Sequence, residues 1–261
     1  MNPLQRALLE KAGNDHGFEY VLPAPDDRVN LASARHRAQV CISVSEGCYS
    51  LAFTSPAPGL LNAELARSLP TLQRSGDGFI APDQPALAQL LRRAAELAHA
   101  LPNQAVHDFE ASLTQELEQL PDALKNTEVE RLVRQRIGQQ AFRNAMLDYW
   151  GSACAVTGIA LPEVLRASHA KPWAECDSDA ERLDVFNGFL LIANLDALFD
   201  RFLITFNHQG KLVTAPSLGS SDLAALGLQA PQHLRWLAAE HLPYLKYHQQ
   251  QFHKLWRCGL S

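Results

Sequence analysis

The sequence predicts an α+β fold in two parts, a mixed α/β N-terminal domain followed by a domain of short strands flanked by helices. Three observations predict it. Two β-rich runs, Ala38–Ser45 and Tyr49–Thr54, face each other across Glu46-Gly47, which is a hairpin pattern. Helical periodicity fills the middle of the chain and is interrupted at Pro82, Pro102 and Pro121. Beyond Trp150, short strand-like segments surround one short amphipathic helix, Leu195–Phe202.

Taken in order, residues 1–13 read as a helix, the hairpin follows, and Leu60–Leu69 reads as a short helix. Pro82 opens a longer helix over Asp83–Leu101, which Pro102-Asn103 breaks. These elements bound an N-terminal domain over residues 1–103. Gln104–Leu120 is acidic and helical, and with Pro121-Asp122 and Lys125-Asn126 it forms a connector over 104–126. Thr127 then starts the second domain, 127–261, as an N-cap with Glu130 at capping-box spacing ahead of Val129, Leu132, Val133, Ile137 and Phe142. Gly138 is the weak point of that helix. CAVTG (154–158) and LRASH (165–169) read as strands, Glu175–Asp184 as a polar acidic stretch, and NGFLLI (187–192) as another strand. LITF and KLVTA pair around a turn at Asn207–Gly210, and two helical segments, Pro231–Glu240 and Leu242–Trp256, close the chain, the second opening at Pro243.

Composition excludes several classes. With 47% hydrophobic and 20% charged residues among 261, the chain can bury a core in each part without disulfide or metal staples. It contains no run of roughly 18 apolar residues, and its first residues are amphipathic rather than a leader, so a soluble, unexported protein without membrane association is expected. Cys41, Cys48, Cys154, Cys176 and Cys258 are odd in number and form no CxxC pair, which argues against a disulfide framework or zinc ribbon and for reduced thiols in the cytoplasm. The net charge of −5 and pI of 6.0 have the wrong sign for a protein that coats nucleic acid. The excess acid lies in residues 1–126, with 10 Lys and Arg against 15 Asp and Glu, whereas 127–261 is balanced at 13 each. A neutral second half can still carry a local basic groove.

One constellation in that half carries chemistry: His169, Asn187, Asp196 and Asp200 on a strand–loop–strand–helix pattern. Asp196 and Asp200 stand four apart, which on a helix puts both carboxylates on one face where they can address a single cation. Such oxygen ligands favour Mg²⁺ or Mn²⁺ over Zn²⁺.

The surrounding motifs resemble the HNH endonucleases of the ββα-metal fold, in the branch whose first strand ends in S-H-x-K-P-W, here Ser168–Trp173. G-Q-x-x-F-R at Gly138–Arg143, C-A-V-T-G at Cys154–Gly158, N-G-x-L-L at Asn187–Leu191, L-D-A-L-F-D at Leu195–Asp200 and Y-L-x-Y-H at Tyr244–His248 match in order. The resemblance covers roughly Thr127 to Trp256 and implies an HNH nuclease domain flanked by helices. It implies that His169 is the general base, that Asn187 braces the loop holding it, and that Asp196 and Asp200 hold one divalent ion. Many members have Asp or His before the base, and this chain has Ser168, a poor ligand.

Arg143, Lys171 and Arg201 are candidates for phosphate contacts, with Arg134 and Arg136 weaker. Trp150 and Trp173 read as core or wall, and the remaining histidines, His208 and His248 among them, as solvated. In the first domain Arg28, Arg35, His36 and Arg37 could form a recognition loop; a ligand sensor or a dimer surface are the alternatives. Taken together, the sequence points to a metal-dependent endonuclease acting on DNA, with RNA not separated from it, and with restriction or defence as a role by analogy. The competing reading is an HNH-fold regulatory or nucleic-acid-binding protein that has lost cleavage. A homodimer would suit a double-strand cut.

Overall fold

A computed structural model describes residues 1–25, 27–45, 47–102, 104–119, 127–228 and 232–257. The chain divides into two compact units, Met1–Gln104 and Ala105–Ser261, and the fold is α+β. Glu46, Asn103, the Pro121–Asn126 part of the expected connector, Pro231 and Cys258 lie outside the described residues.

The first unit is a six-stranded antiparallel sheet in the order β1-β2-β3-β4-β6-β5 with helices α1 (Pro3–Asp15), α2 (Pro58–Ser68) and α3 (Gln84–Ala100). Its central strands are β2 (Arg28–Ala32), β3 (Gln39–Ser45) and β4 (Cys48–Thr54), joined by β6 (Gly78–Ala81) and edged by β1 (Tyr20–Leu22) and β5 (Gln73–Ser75). The two-residue alternation of Val29 and Leu31, Val40 and Ile42, Leu51 and Phe53 puts one row of side chains inside, because the register sets Val29 against Ile42 and Ile42 against Leu51. Asp83 caps α3 by accepting from the Ala86 amide at 2.8 Å. His36 is 6% exposed and packs edge-on against Phe18, so a solvent-facing recognition loop built on it is not what the fold presents.

The second unit begins on α4 (Gln104–Gln119), whose Phe109 lies under the Arg134 guanidinium and whose Glu116 pairs with Arg136. Both arginines come from α5 (Thr127–Trp150). α5 is buried only from Gly138 onward, through Gly138, Phe142, Ala145, Met146, Tyr149 and Trp150, at the spacing of a core-facing stripe. Val129, Val133 and Ile137 are half-exposed, and Leu132 is 53% exposed, so the apolar face expected of the first half is not core. β7 (Leu165–His169) and β8 (Gly188–Ile192) pair antiparallel, with Ser168 opposite Phe189 and His169 opposite Gly188. α6 (Asp179–Leu183) sits in the loop between them, and α7 (Ala193–Asp200) follows β8 directly. β9 (Ile204–Phe206) and β10 (Leu212–Thr214) form the expected hairpin, α8 (Ser220–Ala225) follows, and α9 (Leu242–Arg257) closes the unit. Trp150 stacks on Trp236 at 4.5 Å in the aromatic core beside Phe186, Phe189 and His241.

Two local expectations are corrected. Residues 154–158 make a turn rather than a strand: the Cys154 amide donates to the Ile159 carbonyl, the Gly158 amide returns to Cys154, and Gly158 takes a left-handed φ of 71°. Residues 232–238 are not helical. Their backbone is spent on distant partners, since Leu212 donates to Gln232, Leu234 to Gly210 and Arg235 to Ala155, and those bonds replace a helical ladder. Among the described residues no helix is long and apolar enough to cross a membrane.

Candidate active site

The site is built on β7, β8 and the two helices that cover them. Successive side chains of a strand point to opposite faces, and the last two of β7 do so: Ser168 turns to α7, where its hydroxyl donates to Asp196 Oδ1 at 2.5 Å, and His169 turns to α5, where its ring stacks on Phe142 at 3.7 Å. Gly188 permits the close pairing behind them, because a Cβ there would fall 2.2 Å from the Ser168 carbonyl oxygen.

His169 is held on three sides. Phe142 lies flat against one face, the Trp173 ring stands nearly perpendicular with its centre 5.9 Å away, and Nε2 stands 2.9 Å from the Arg182 carbonyl oxygen. A carbonyl only accepts, so Nε2 carries the proton and Nδ1 keeps its lone pair. Burial pushes the imidazole down to about 4, against the pull of that carbonyl, so the ring is neutral at pH 7.

Asn187 is fully buried and spends its whole amide on the loop between the strands. Its Oδ1 accepts from the Lys171 amide at 2.8 Å, and its Nδ2 donates to the carbonyls of Lys171 and Glu181 and to Cys176 Sγ. Lys171 Nζ pairs with Glu181 at 2.8 Å and Asp177 at 3.2 Å. Trp173 rests against α5 at Gly138, where a Cβ would meet the ring at 2.2 Å. Gly138 is therefore a seat for the indole rather than merely a weak point of the helix.

Asp196 and Asp200 share a face of α7, in its first and last turns. Burial and the Asp196 charge push the Asp200 carboxyl up to about 6, with Arg201 pulling the other way. Among the described residues no group of three or more His, Cys, Asp or Glu side chains is placed to hold a metal ion. Two carboxylates beside a serine hydroxyl are the oxygen donors that α7 and β7 offer.

The structure thus joins Ser168 to Asp196 and couples Asp196 to Asp200, while His169 occupies the other face of β7. Of the basic candidates, Arg143 donates to the backbone carbonyls of Leu165 and Pro162 and so ties α5 to the start of β7. Lys171 is engaged by two carboxylates, and Arg201 is exposed beside Asp200. Arg134 pairs with Asp179.

Sequence reasoning read Phe142 as an apolar helix position and Trp173 as core or wall, and gave Arg182 no role. Phe142 and Trp173 frame His169, and Arg182, the one cation in the acidic stretch 175–184, was the available signal for the loop's organiser. His248 is 1% exposed rather than solvated: its ring stacks on Phe199 at 3.7 Å, and its two nitrogens stand 3.0 Å from Thr205 Oγ1 and the Phe199 carbonyl. Tyr244 ties α9 to the site by donating to the half-buried Asp184 at 2.9 Å.

Residues 154–207 match the family model described as HNH endonuclease. No curated protein matches the chain. The matched residues run from the 154–158 turn through β7, the Asn187-braced loop, β8 and α7 to β9, and over this part the chain is similar to the HNH endonucleases.

Proposed function

We propose that the protein is a metal-dependent endonuclease that hydrolyses phosphodiester bonds in DNA, with His169 as general base. The observation that carries this reading is the hydrogen bond from His169 Nε2 to the Arg182 carbonyl. It leaves Nδ1 as the proton acceptor, and the depressed pKa keeps that nitrogen unprotonated across the neutral range. The base takes a proton from the attacking water. Asn187 braces the loop that presents the acceptor carbonyl, through the four contacts of its amide.

Asp196 and Asp200 fit a hard divalent cation, Mg²⁺ or Mn²⁺. Burial, and after it the charge of Asp196, raises the Asp200 carboxyl, and a bound cation would relieve both costs. Bound there, the ion would supply charge neutralisation at the phosphate and the leaving 3′ oxygen. Ser168 orients Asp196 through its hydroxyl. With Arg143 and Lys171 engaged inside the protein, Arg201 is the basic side chain best placed for phosphate contact. Restriction or defence, with the first unit choosing targets, is an extension by architecture alone. The free thiols of Cys41, Cys48, Cys154 and Cys176 suit a reducing, cytoplasmic setting, and a homodimer would serve a double-strand cut.

One observation favours a second reading, a regulatory nucleic-acid-binding protein without cleavage: Ser168 stands where a third strong ligand would complete the pair on α7. Plasmid nicking decides between them. With Mg²⁺ or Mn²⁺ the wild type should nick supercoiled DNA, EDTA should stop it, and His169→Ala should lower the rate by about 10²–10⁴-fold, with Asp196→Asn and Asp200→Asn losing metal response. No cleavage of methylated or unmethylated DNA in any metal, with binding intact, would refute the DNA-nuclease reading and leave the regulatory one or an RNA substrate.

A further inference from the structure

We propose that Arg182 is a positioning residue for the general base: its side chain closes the loop between β7 and β8, so that its own carbonyl fixes the tautomer of His169. For its consequence in activity the inference rests on the nuclease reading above. The geometry of the ring does not depend on it.

The Arg182 guanidinium spans three separate points of the loop. Nε donates to the Trp173 carbonyl at 3.1 Å, one terminal nitrogen to the Cys176 carbonyl at 2.5 Å, and the other to Asp179 Oδ1 at 3.1 Å. A planar fork with fixed donor directions suits such a set, and a lysine ammonium cannot cover all three acceptors. The same residue's main chain supplies the oxygen that receives His169 Nε2–H. Anchoring the side chain therefore aims the carbonyl. The guanidinium also lies 5.7 Å from the centre of the Trp173 ring, which stands perpendicular to the His169 ring and whose far end rests on Gly138.

Other groups on these elements are already committed. Lys171 holds Asp177 and Glu181, Arg134 holds Asp179, Arg143 holds backbone carbonyls, and Asp184 is bonded by Tyr244. The titration of His169 is governed by its burial and by the Arg182 carbonyl. Releasing the loop changes both at once.

The test uses the full chain, wild type beside Arg182→Ala and Arg182→Lys, with two readouts: nitrogen-15 NMR of the His169 ring across pH, and plasmid cleavage with kcat and KM separated. The wild type should show the Nε2–H tautomer with a titration near 4. Arg182→Ala should show mixed tautomers, a titration moved toward about 6.5, and kcat down by about tenfold or more with KM nearly unchanged, the acid limb of the rate profile rising with the titration. Arg182→Lys should fall between, and it carries the test if the alanine variant does not fold. An unchanged tautomer, titration and pH profile in a folded variant overturns the proposal. If the wild type cleaves nothing, the nuclease reading fails, and the NMR readout still decides whether Arg182 positions the ring.

Discussion

Gly138→Ala is the substitution for which chain-local and tertiary reasoning give opposite signs. In an isolated 24-residue helix, replacing a mid-helix glycine by alanine should stabilise by about 1 kcal/mol. In the folded protein the new methyl would sit 2.2 Å from the Trp173 ring and 2.9 Å from its next atom, where ordinary contact begins near 3.4 Å. The indole must move, and moving it disturbs the edge contact with His169 and the guanidinium over its face. Overpacking of this kind costs up to about 3 kcal/mol, which outweighs the propensity gain of about 1 kcal/mol, so a net loss of up to about 2 kcal/mol is expected. For a unit of this size that corresponds to a fall in Tm of up to roughly 8 °C. Trp173→Phe removes the ring atoms that collide, and in that background Gly138→Ala should become neutral or stabilising, a sign change that a double-mutant cycle reads directly. Thermal melts of the four proteins, with cleavage alongside, make the assay. A Gly138→Ala protein that melts higher than wild type with unchanged activity would refute the seating of Trp173 on α5.

Other predictions follow from burial and hydrogen bonding. His248 is held near 4 by burial, so the unfolded chain binds more protons than the fold between about 6.5 and 4. The stability it contributes is present at neutral pH and is lost as pH falls through that window, by up to about 3 kcal/mol. Urea unfolding at pH 7.5, 6 and 5 should show the decline, and His248→Gln should make it shallower, leaving the share that His169 contributes over the same window; equal slopes in the two proteins would contradict the assignment. Asn187→Ala leaves the Lys171 amide and the Lys171 and Glu181 carbonyls without their partner, at a cost of about 1–3 kcal/mol for each buried group that water does not reach. It should lower Tm and speed hydrogen exchange at the Lys171 amide, and an unchanged exchange rate there would show that the loop does not depend on Asn187.

Much of the architecture was written in local pattern. The alternation of Val40 with Ile42 and of Leu51 with Phe53 marks the hairpin because one face of a sheet is buried, and Asp83 marks the start of α3 because its carboxylate satisfies a helix-end amide. His169, Asn187, Asp196 and Asp200 were legible by motif and spacing. The short strands β1, β5 and β6 were not, since three or four residues carry too little periodicity to separate strand from loop. The expected helix around residues 232–238 failed because its backbone finds partners at Gly210, Leu212 and Ala155, far away in sequence.

The sequence by itself determined the α+β class, the order of the main elements and the residue types of the site, because periodicity, caps and motif spacing are local properties. Tertiary structure decided what those residues touch. Ser168 reaches Asp196 across 28 residues, Gly138 makes room for Trp173, and the atom that sets the tautomer of His169 is a backbone oxygen. Every residue has a carbonyl, so no letter of the sequence marks the one at Arg182, and only the folded loop brings it to the ring.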